Sequence, residues 1–268
     1  MCPYNRQKFI SIMAKKLIDI LQEKFGRIYI LSMTERQDRR NLVECQLSEL
    51  GVPLPDTTPF IRYFYGTSFP FNSLIANAFN TSGKGRFTKA NEYDCARNHY
   101  GLVKICRDLL PEDSHSLILE DDILFRKDWY EIASYIEALP DDYDIAQFGG
   151  FTTDPRIHSY IDNSLDKWVK HRSVGLWNCS GYAMSRRGME FYLTFMEKIM
   201  FWVADGPLYK APLSDKVINT YVSREPLVIQ ASKKLVSSDI RNEENDTIDY
   251  DNQNEYEKNI SLDDFFSV

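Results

Sequence analysis

Short apolar runs rich in β-branched and aromatic residues alternate along this chain with segments whose apolar residues recur at helical spacing. The strand candidates are residues 27–33, 60–65, 116–120 and 143–150, and the helix candidates are residues 38–50, 90–110 and 127–139. Strands that alternate with helices favour a largely parallel sheet with helices on both faces. The pattern therefore predicts an α/β fold.

Signals for both ends of a helix flank residues 38–50. Thr34 followed by Gln37 matches a capping box, which would make Thr34 the N-cap. Gly51 suits the position after the last helical residue, where a left-handed backbone is common. We therefore expect this helix to begin next to Thr34 and to end at Gly51.

The two ends of the chain differ from its middle. Residues 7–25 have the pattern of a basic amphipathic helix, which would pack on the domain or a partner chain, or lie on a membrane surface. The tail is acidic and polar until Phe265 and Phe266, which is typical of a mobile segment or of an arm over the surface. We therefore expect an N-terminal helix at 1–25, a central domain at 26–237 and an acidic tail at 238–268.

The net charge of −7 limits the kinds of partner this chain can have. A nucleic-acid-binding protein would usually carry a basic face, so we expect no nucleic acid partner. Five cysteines, an odd number without a CxxC spacing, are typical of reduced thiols. The first residues lack the apolar core of a signal peptide, and no apolar run approaches the roughly 20 residues of a membrane helix. We therefore expect a cytoplasmic protein, either free or peripheral at the inner face of a membrane.

Three consecutive carboxylates, Glu120, Asp121 and Asp122, follow the third predicted strand. Ligands bind at the carboxyl ends of strands in a parallel sheet. On an extended backbone, Glu120 and Asp122 would point to one side and Asp121 to the other. Carboxylates this close need a counter-charge, and a Mg²⁺ or Mn²⁺ ion held by them would complete its coordination with substrate phosphates. The cluster therefore indicates either a metal-dependent nucleotide-diphosphate site or a solvated acidic turn.

Four blocks of sequence carry a resemblance to a known family. They are IYILSMTERQDRR, CARNHYGLVKI, LILEDDILF and CSGYAMSRRGMEFYL, with ADGPLY and PLVIQ…SSDI as further landmarks. Their order and spacing over about residues 27–240 resemble glycosyltransferase family 25, the bacterial lipopolysaccharide and lipooligosaccharide glycosyltransferases related to collagen galactosyltransferases. Two departures stand out. The family's Asn-Leu-Asp-Arg is replaced at Ser32–Arg36, and Asn98 stands where Ser usually precedes His99.

The resemblance implies a GT-A fold, a Rossmann-like domain that transfers a sugar from a nucleotide-sugar to a hydroxyl. The donor would be a UDP-sugar carrying galactose or glucose, and the acceptor a glycan or glycolipid of a surface polysaccharide or lipooligosaccharide. Carried over by position, Asp122 would bind the metal directly. Glu120 would contact the ribose, the metal or a metal-bound water, and Asp121 would help to position the donor.

An inverting member of this family would need a carboxylate that deprotonates the acceptor hydroxyl. Asp205, in VADGPLY, is our candidate for this general base, and Asp154, in GGFTTDP, is its rival. The alternative for Asp205 is a helix N-cap, where Asp is favoured.

The remaining site candidates would bind the two substrates. For the donor they are Ser32, Arg36, Arg39, His99 and Lys84, with Arg36 preferred among the arginines and Lys84 lying in a glycine-rich loop. His99 would otherwise be a packed residue of its helix. For the acceptor or donor sugar they are Trp177, Asn178, Ser180 and Tyr182, of which the two aromatic residues would otherwise belong to the core.

Two other functions remain open from the residues alone. A haloacid-dehalogenase-like phosphatase also places acids after a buried strand. It uses an Asp nucleophile where this chain has Glu120, and its usual Thr after the second acid is absent here. A degenerate family member that binds nucleotide or glycan without turnover is the second alternative, because the motif at Ser32–Arg36 is altered.

Overall fold

The structure is a computed structural model that describes residues 17–68, 90–149, 166–170, 178–198, 203–214, 218–231 and 266. Three candidate site residues, Lys84, Asp154 and Trp177, lie outside the described residues. So do the first 16 residues and, apart from Phe266, the acidic tail.

The described residues form strands and helices in alternation. The strands are β1 (Arg27–Met33), β2 (Ile61–Gly66), β3 (Ser116–Glu120), β4 (Ile123–Phe125), β5 (Ile145–Gln147), β6 (Trp168–Lys170), β7 (Gly181–Met184), β8 (Thr220–Ser223) and β9 (Val228–Gln230). The helices are α1 (17–24), α2 (Gln37–Glu49), α3 (Ala90–Leu109), α4 (Trp129–Glu137), α5 (Arg186–Lys198) and α6 (Gly206–Lys210), which runs into a 3₁₀ turn at Ala211–Ser214. The four predicted strands and the helices predicted at 38–50, 90–110 and 127–139 are thus present, with ends shifted by a few residues, whereas β4, β6, β8 and β9 were not predicted.

Seven strands form one mixed sheet in the order β2-β1-β3-β7-β5-β8-β6. β1 runs parallel to β2 and β3, and β5 runs parallel to β8. β7 is antiparallel to both β3 and β5, and β6 is antiparallel to β8, so five of the seven strands point the same way. The predicted α/β fold with a mostly parallel sheet is therefore confirmed. β4 and β9 pair separately as an antiparallel ribbon.

Helices cover both faces of this sheet because the strands are apolar on both sides. In β1, Ile28 and Ile30 pack into a core shared with α1, α2 and α4. The alternate residues Tyr29 and Leu31 pack into a second core shared with α3, α5 and α6. Side chains alternate across a strand, so a continuous apolar run such as β1 is suited to a central position.

The predicted N-terminal helix packs on the domain over its described part. Leu17, Ile20, Leu21 and Phe25 are buried in the same core as β1, so their apolar face is turned away from any membrane. Membrane contact through this part of the helix is therefore not supported. None of the helices in the described ranges combines the length and apolar content needed to cross a membrane.

One residue of the acidic tail also contacts the domain. The backbone N–H of Phe266 donates to the carbonyl of Phe125 at 3.2 Å, and the Phe266 ring packs against the core. The arm over the surface stays a prediction, because the rest of the tail lies outside the described residues.

The capping box predicted at Thr34 is wrong. Helix α2 begins at Gln37, with Arg36 at the N-cap and no side-chain capping bond. The reason is a tight turn, closed by the Arg36 N–H and the Met33 carbonyl at 3.0 Å, which moves Thr34 away from the first helical turn. The predicted end is confirmed, because Gly51 has a φ of 67° and Val52 N–H donates back to the Leu47 carbonyl at 2.9 Å.

Two helical glycines differ in the space around them. A Cβ on Gly188 would overlap the carbonyl oxygen of Asp144, whereas one on Gly101 would meet the Phe64 ring at an ordinary 3.8 Å. We expect Gly188→Ala to lower the free energy of unfolding by about 1–3 kcal/mol, because backbone atoms must shift. The matched control Gly101→Ala should raise it by up to about 1 kcal/mol through helix propensity. Urea unfolding measures both, and equal stability of the two variants would contradict the packing described here.

Candidate active site

The three acidic residues lie where β3 ends and the chain bends. Residues 121 and 122 form a bend, so the extended backbone on which the alternation of side chains depended is not present there. Both aspartates turn to Arg39 of α2, whose Nη1 lies 3.1 Å from Asp121 Oδ1 and 3.3 Å from Asp122 Oδ2. Gln230, at the end of β9, donates to Asp122 Oδ2 at 3.2 Å. The β4–β9 ribbon therefore fixes the bend.

A cleft of about 280 Å³ opens beside these carboxylates, at the carboxyl ends of β1 and β3. Its described lining consists of Leu31, Ser32, Met33, Glu35, Arg39, Ser68, Asp94, Cys95, Asn98, Glu120, Asp121, Asp122 and Gln230. The structure thus brings together five of the predicted donor-site residues, which are Ser32, Arg39, Glu120, Asp121 and Asp122. This is the edge of the sheet where a ligand is expected.

The positive charge of Arg39 does not balance the negative charges of the acidic cluster. Burial, together with the nearby charges of Glu120 and Asp121, raises the pKa of Asp122 to about 7, although Arg39 acts in the opposite direction. Burial also raises the pKa of Asp121. Among the described residues, Asp122 Oδ1 is buried and makes no hydrogen bond. Oxygen donors in this state fit a hard divalent cation.

The arginines after β1 have different positions. Arg39 lines the cleft, whereas Arg36, the arginine preferred from the sequence, pairs with Asp38 at 2.8 Å and is not among the cleft-lining residues. Arg40 binds the end of β1, donating to Ser32 Oγ at 3.0 Å and to the Met33 carbonyl at 2.6 Å. The structure therefore places Arg39 rather than Arg36 against the carboxylates.

His99 lies fully buried behind Glu120. Its Nε2 is 3.2 Å from Glu120 Oε1, and its Nδ1 is 2.8 Å from the Tyr182 hydroxyl. Tyr182 and Ser180 are also fully buried, because β7 lies in the middle of the sheet under α3 and α5. The burial of Tyr182 agrees with the alternative that it belongs to the core, and contact of these two side chains with a sugar stays a prediction. His99 orients Glu120 from inside the protein.

Asp205 occupies the N-cap position of α6, but its side chain makes no capping hydrogen bond to that helix. Its Oδ2 accepts the backbone N–H of Asn178 at 3.0 Å, and Asn178 Oδ1 in turn accepts the N–H of Ser180 at 3.0 Å. Asn178 has a left-handed φ of 99°, so the turn before β7 is fixed by this chain of bonds. Burial, with a smaller effect from the Glu120 charge, raises the pKa of Asp205 to about 6. Asp205 is thus a largely buried carboxylate that is ionised at neutral pH.

Comparison with known protein families matches residues 25–206 to glycosyltransferase family 25, described as an LPS biosynthesis protein. The chain belongs to glycosyltransferase family 25. The match spans β1, His99, the acidic cluster and Asp205, and it confirms the resemblance drawn from the sequence blocks. Family 25 membership makes the protein a glycosyltransferase of lipopolysaccharide biosynthesis at the level of the family.

Two other comparisons add little to the family 25 assignment. A search of curated proteins by sequence finds no match. Among solved structures, the chain is similar to the crystal structure of a mannose-1-phosphate geranyltransferase from Thermus thermophilus. The identity is 13% and the TM-score 0.37, over 75% of this chain and 73% of that one, which is too weak to support an argument.

The sequence did not predict that the Asn98 side chain would hold the segment after β2 at the edge of this family 25 site. Asn98 accepts the Thr67 N–H through Oδ1 and donates to the Thr67 carbonyl through Nδ2, both at 3.1 Å. This pair holds the chain after β2 so that Ser68 lines the cleft. A Cβ on Gly66 would come within 2.8 Å of Met33 Sδ, which explains the glycine there. The only sequence signals were a glycine ending a strand and the departure from Ser at position 98.

Proposed function

We propose that this protein transfers galactose or glucose from a UDP-sugar to a hydroxyl of a glycan or glycolipid, in a metal-dependent reaction that inverts the anomeric carbon. The product would belong to a surface polysaccharide or lipooligosaccharide. The observation that carries the proposal is the cleft at the ends of β1 and β3, which the three consecutive carboxylates line together with Arg39, the one arginine among its described lining residues. The family's description as an LPS biosynthesis protein supports the class of acceptor.

Asp122 and Glu120 are the residues that would hold the cation. Asp122 offers a buried oxygen that makes no hydrogen bond within the described structure, and Glu120 is partly exposed in the cleft. Carboxylate oxygens suit Mn²⁺ or Mg²⁺. When bound, such an ion supplies positive charge at the departing nucleoside diphosphate. His99 keeps the Glu120 carboxylate aimed at the cleft.

The cleft also offers groups that suit the rest of the donor. Arg39 carries a planar guanidinium that can bind phosphate oxygens in pairs. Ser32 and Ser68 offer hydroxyl groups for the ribose or base. Asp121 would hold Arg39 in place at 3.1 Å while the donor binds.

Asp205 is our candidate for the general base. A pKa of about 6 leaves it ionised at neutral pH, yet more basic than an ordinary carboxylate. The charge of Glu120 contributes to the raised pKa of Asp205, although Asp205 is not among the described residues that line the cleft. Asp154 remains the rival candidate for the base. Asn178 is partly exposed, so its side chain remains a candidate for contact with the acceptor. We place the reaction on the cytoplasmic side of a membrane, where the protein would be free or peripheral.

A thermal-shift screen of nucleotide-sugars with and without Mn²⁺ tests this function. We expect UDP-galactose or UDP-glucose to raise the melting temperature in the presence of Mn²⁺, and EDTA to remove the effect. A ligand at one hundred times its Kd stabilises the folded state by about 2.7 kcal/mol, which is readily measured. GDP- and ADP-sugars serve as controls.

Turnover then separates the alternatives. Metal-dependent hydrolysis or transfer of the UDP-sugar supports the proposal. A melting shift without any turnover would identify a protein that only binds nucleotide, and hydrolysis of a generic phosphomonoester would favour a phosphatase.

A further inference from the structure

A thiol, an imidazole and a carboxylate meet at one side of the cleft. The Cys95 sulfur, a ring nitrogen of His99 and a carboxylate oxygen of Glu120 all lie within 4.8 Å of one another. Cys95 and His99 are one turn apart on α3, and Glu120 ends β3. Cys95 and Glu120 both line the cleft, so an ion could reach them from solvent.

This donor set differs in kind from the aspartates beside it. Sulfur and nitrogen ligands with one carboxylate are typical of zinc, whereas Mg²⁺ and Mn²⁺ prefer oxygen alone. Three protein ligands also leave a fourth position of a tetrahedral ion open. The chemistry of the three groups therefore selects a softer cation than the one proposed for Asp122.

Tyr182 supplies the outer contact that a histidine ligand needs. Its hydroxyl lies 2.8 Å from His99 Nδ1, so the other ring nitrogen, Nε2, faces Glu120. A metal ion on Nε2 requires the ring proton on Nδ1, where the Tyr182 oxygen can accept it. The thiol proton of Cys95 would pass to solvent as the sulfur binds the ion.

The charges around Cys95 favour a cation over a free thiolate. Burial, and then the negative charges of Glu120, Asp205, Asp122 and Glu92, raise the pKa of the Cys95 thiol. The same four carboxylates create a negative potential that attracts a divalent ion. Without an ion the sulfur therefore stays protonated and is a poor nucleophile.

The geometry points to a second cation site, formed by Cys95, His99 and Glu120 and suited to zinc, that inhibits the enzyme when it is filled. Inhibition follows because the zinc ion would draw on the Glu120 carboxylate that the donor-site cation also needs. The inhibition rests on the proposed function, whereas the binding of zinc does not.

Cobalt is the probe for the test, because Co²⁺ replaces zinc and absorbs light when a thiolate binds it. Metal-free full-length protein is titrated with Co²⁺, and then with Zn²⁺. We expect a cobalt–thiolate absorption band in the wild type that zinc removes. Cys95→Ser should abolish the band and weaken cobalt binding by at least about tenfold. The matched control is Cys45→Ser, which changes an exposed cysteine on α2 and should keep the band.

Several outcomes would overturn the site. They are a wild type without the band, a band that persists in Cys95→Ser, and a band that Cys45→Ser removes. The melting temperature of Cys95→Ser, and of Cys95→Ala as a second variant, is compared with that of the wild type. An unchanged melting temperature shows that the variant is folded, so that a missing band reports loss of the metal ligand. Zinc should also inhibit sugar transfer by the wild type. If the wild type shows the cobalt–thiolate band but keeps full transferase activity when zinc is added, the inhibitory role is disproved. The band is measured without turnover, so failure of the proposed function would not hide the result.

Discussion

Asp122→Asn is expected to lower the kcat of sugar transfer by about 10²–10³-fold, because the variant loses the carboxylate that would bind the donor-site cation. Rates measured across a range of Mn²⁺ concentrations at saturating UDP-sugar check this result. Asp38→Asn is the matched control, since Asp38 lies on α2 outside the cleft and forms a half-exposed pair with Arg36. Asp38→Asn should stay near wild-type activity, and an Asp122→Asn enzyme that kept full activity would refute the metal assignment.

The same Asp122 substitution should stabilise the metal-free protein. Burial raises the pKa of Asp122 from 3.8 to about 7, so between these values the folded protein holds a proton that the unfolded chain has lost. The free energy of unfolding therefore falls as pH rises through this window. An asparagine at this position cannot ionise, so the Asp122→Asn variant does not lose stability as the pH rises. We expect its free energy of unfolding at pH 8 to exceed that of the wild type by about 1–3 kcal/mol.

Urea unfolding in EDTA at acid and alkaline pH measures this effect. The two proteins should have similar stability near pH 4, diverge as the pH rises from about 4 to about 7, and keep a constant difference above that range. A variant that is less stable than wild type at pH 8 would show that the Asp122 charge is well compensated in the folded state. A residue that lowers stability but supports catalysis is typical of an active site.

Asp205→Asn is expected to lower kcat by about 10²–10⁴-fold, the range of general-base catalysis. Asn keeps an oxygen that can accept the Asn178 N–H, so the turn before β7 should survive the change. The Kd of UDP in the presence of Mn²⁺ should remain the same, because the base acts on the acceptor. Loss of UDP binding in this variant would instead indicate a structural role.

The pH profile separates Asp205 from its rival. The pKa of Asp205 is about 6, so wild-type kcat/KM should fall below that pH as the base becomes protonated. Asp205→Asn should lose this acid limb, whereas Asp154→Asn should keep both the limb and most of the activity. The reverse pattern would make Asp154 the base.

The sequence by itself predicted four of the nine described strands, which are β1, β2, β3 and β5, together with helices α2, α3 and α4 and an acidic cluster as the candidate site. The apolar run of β1 and the helical spacing of α3 are local patterns, and the end of α2 at Gly51 needs only a residue that tolerates a φ of 67°. The acids at 120–122 follow a buried strand, and such positions meet at one edge of a parallel sheet. These features depend on neighbours in the sequence, so they can be predicted from it.

Only the tertiary structure decided which side chains share the cleft. The bend after Glu120 depends on Gln230 of a distant strand, and the choice of Arg39 over Arg36 depends on how α2 is rotated against β3. Tyr182 is buried because antiparallel β7 lies between β3 and β5, a strand order that no local pattern encodes. Asp205 owes its raised pKa mainly to burial, and its carboxylate contacts Asn178, which lies 27 residues earlier in the chain. Side-chain direction, burial and charge environment come from long-range packing, and a single sequence carries no direct record of that packing.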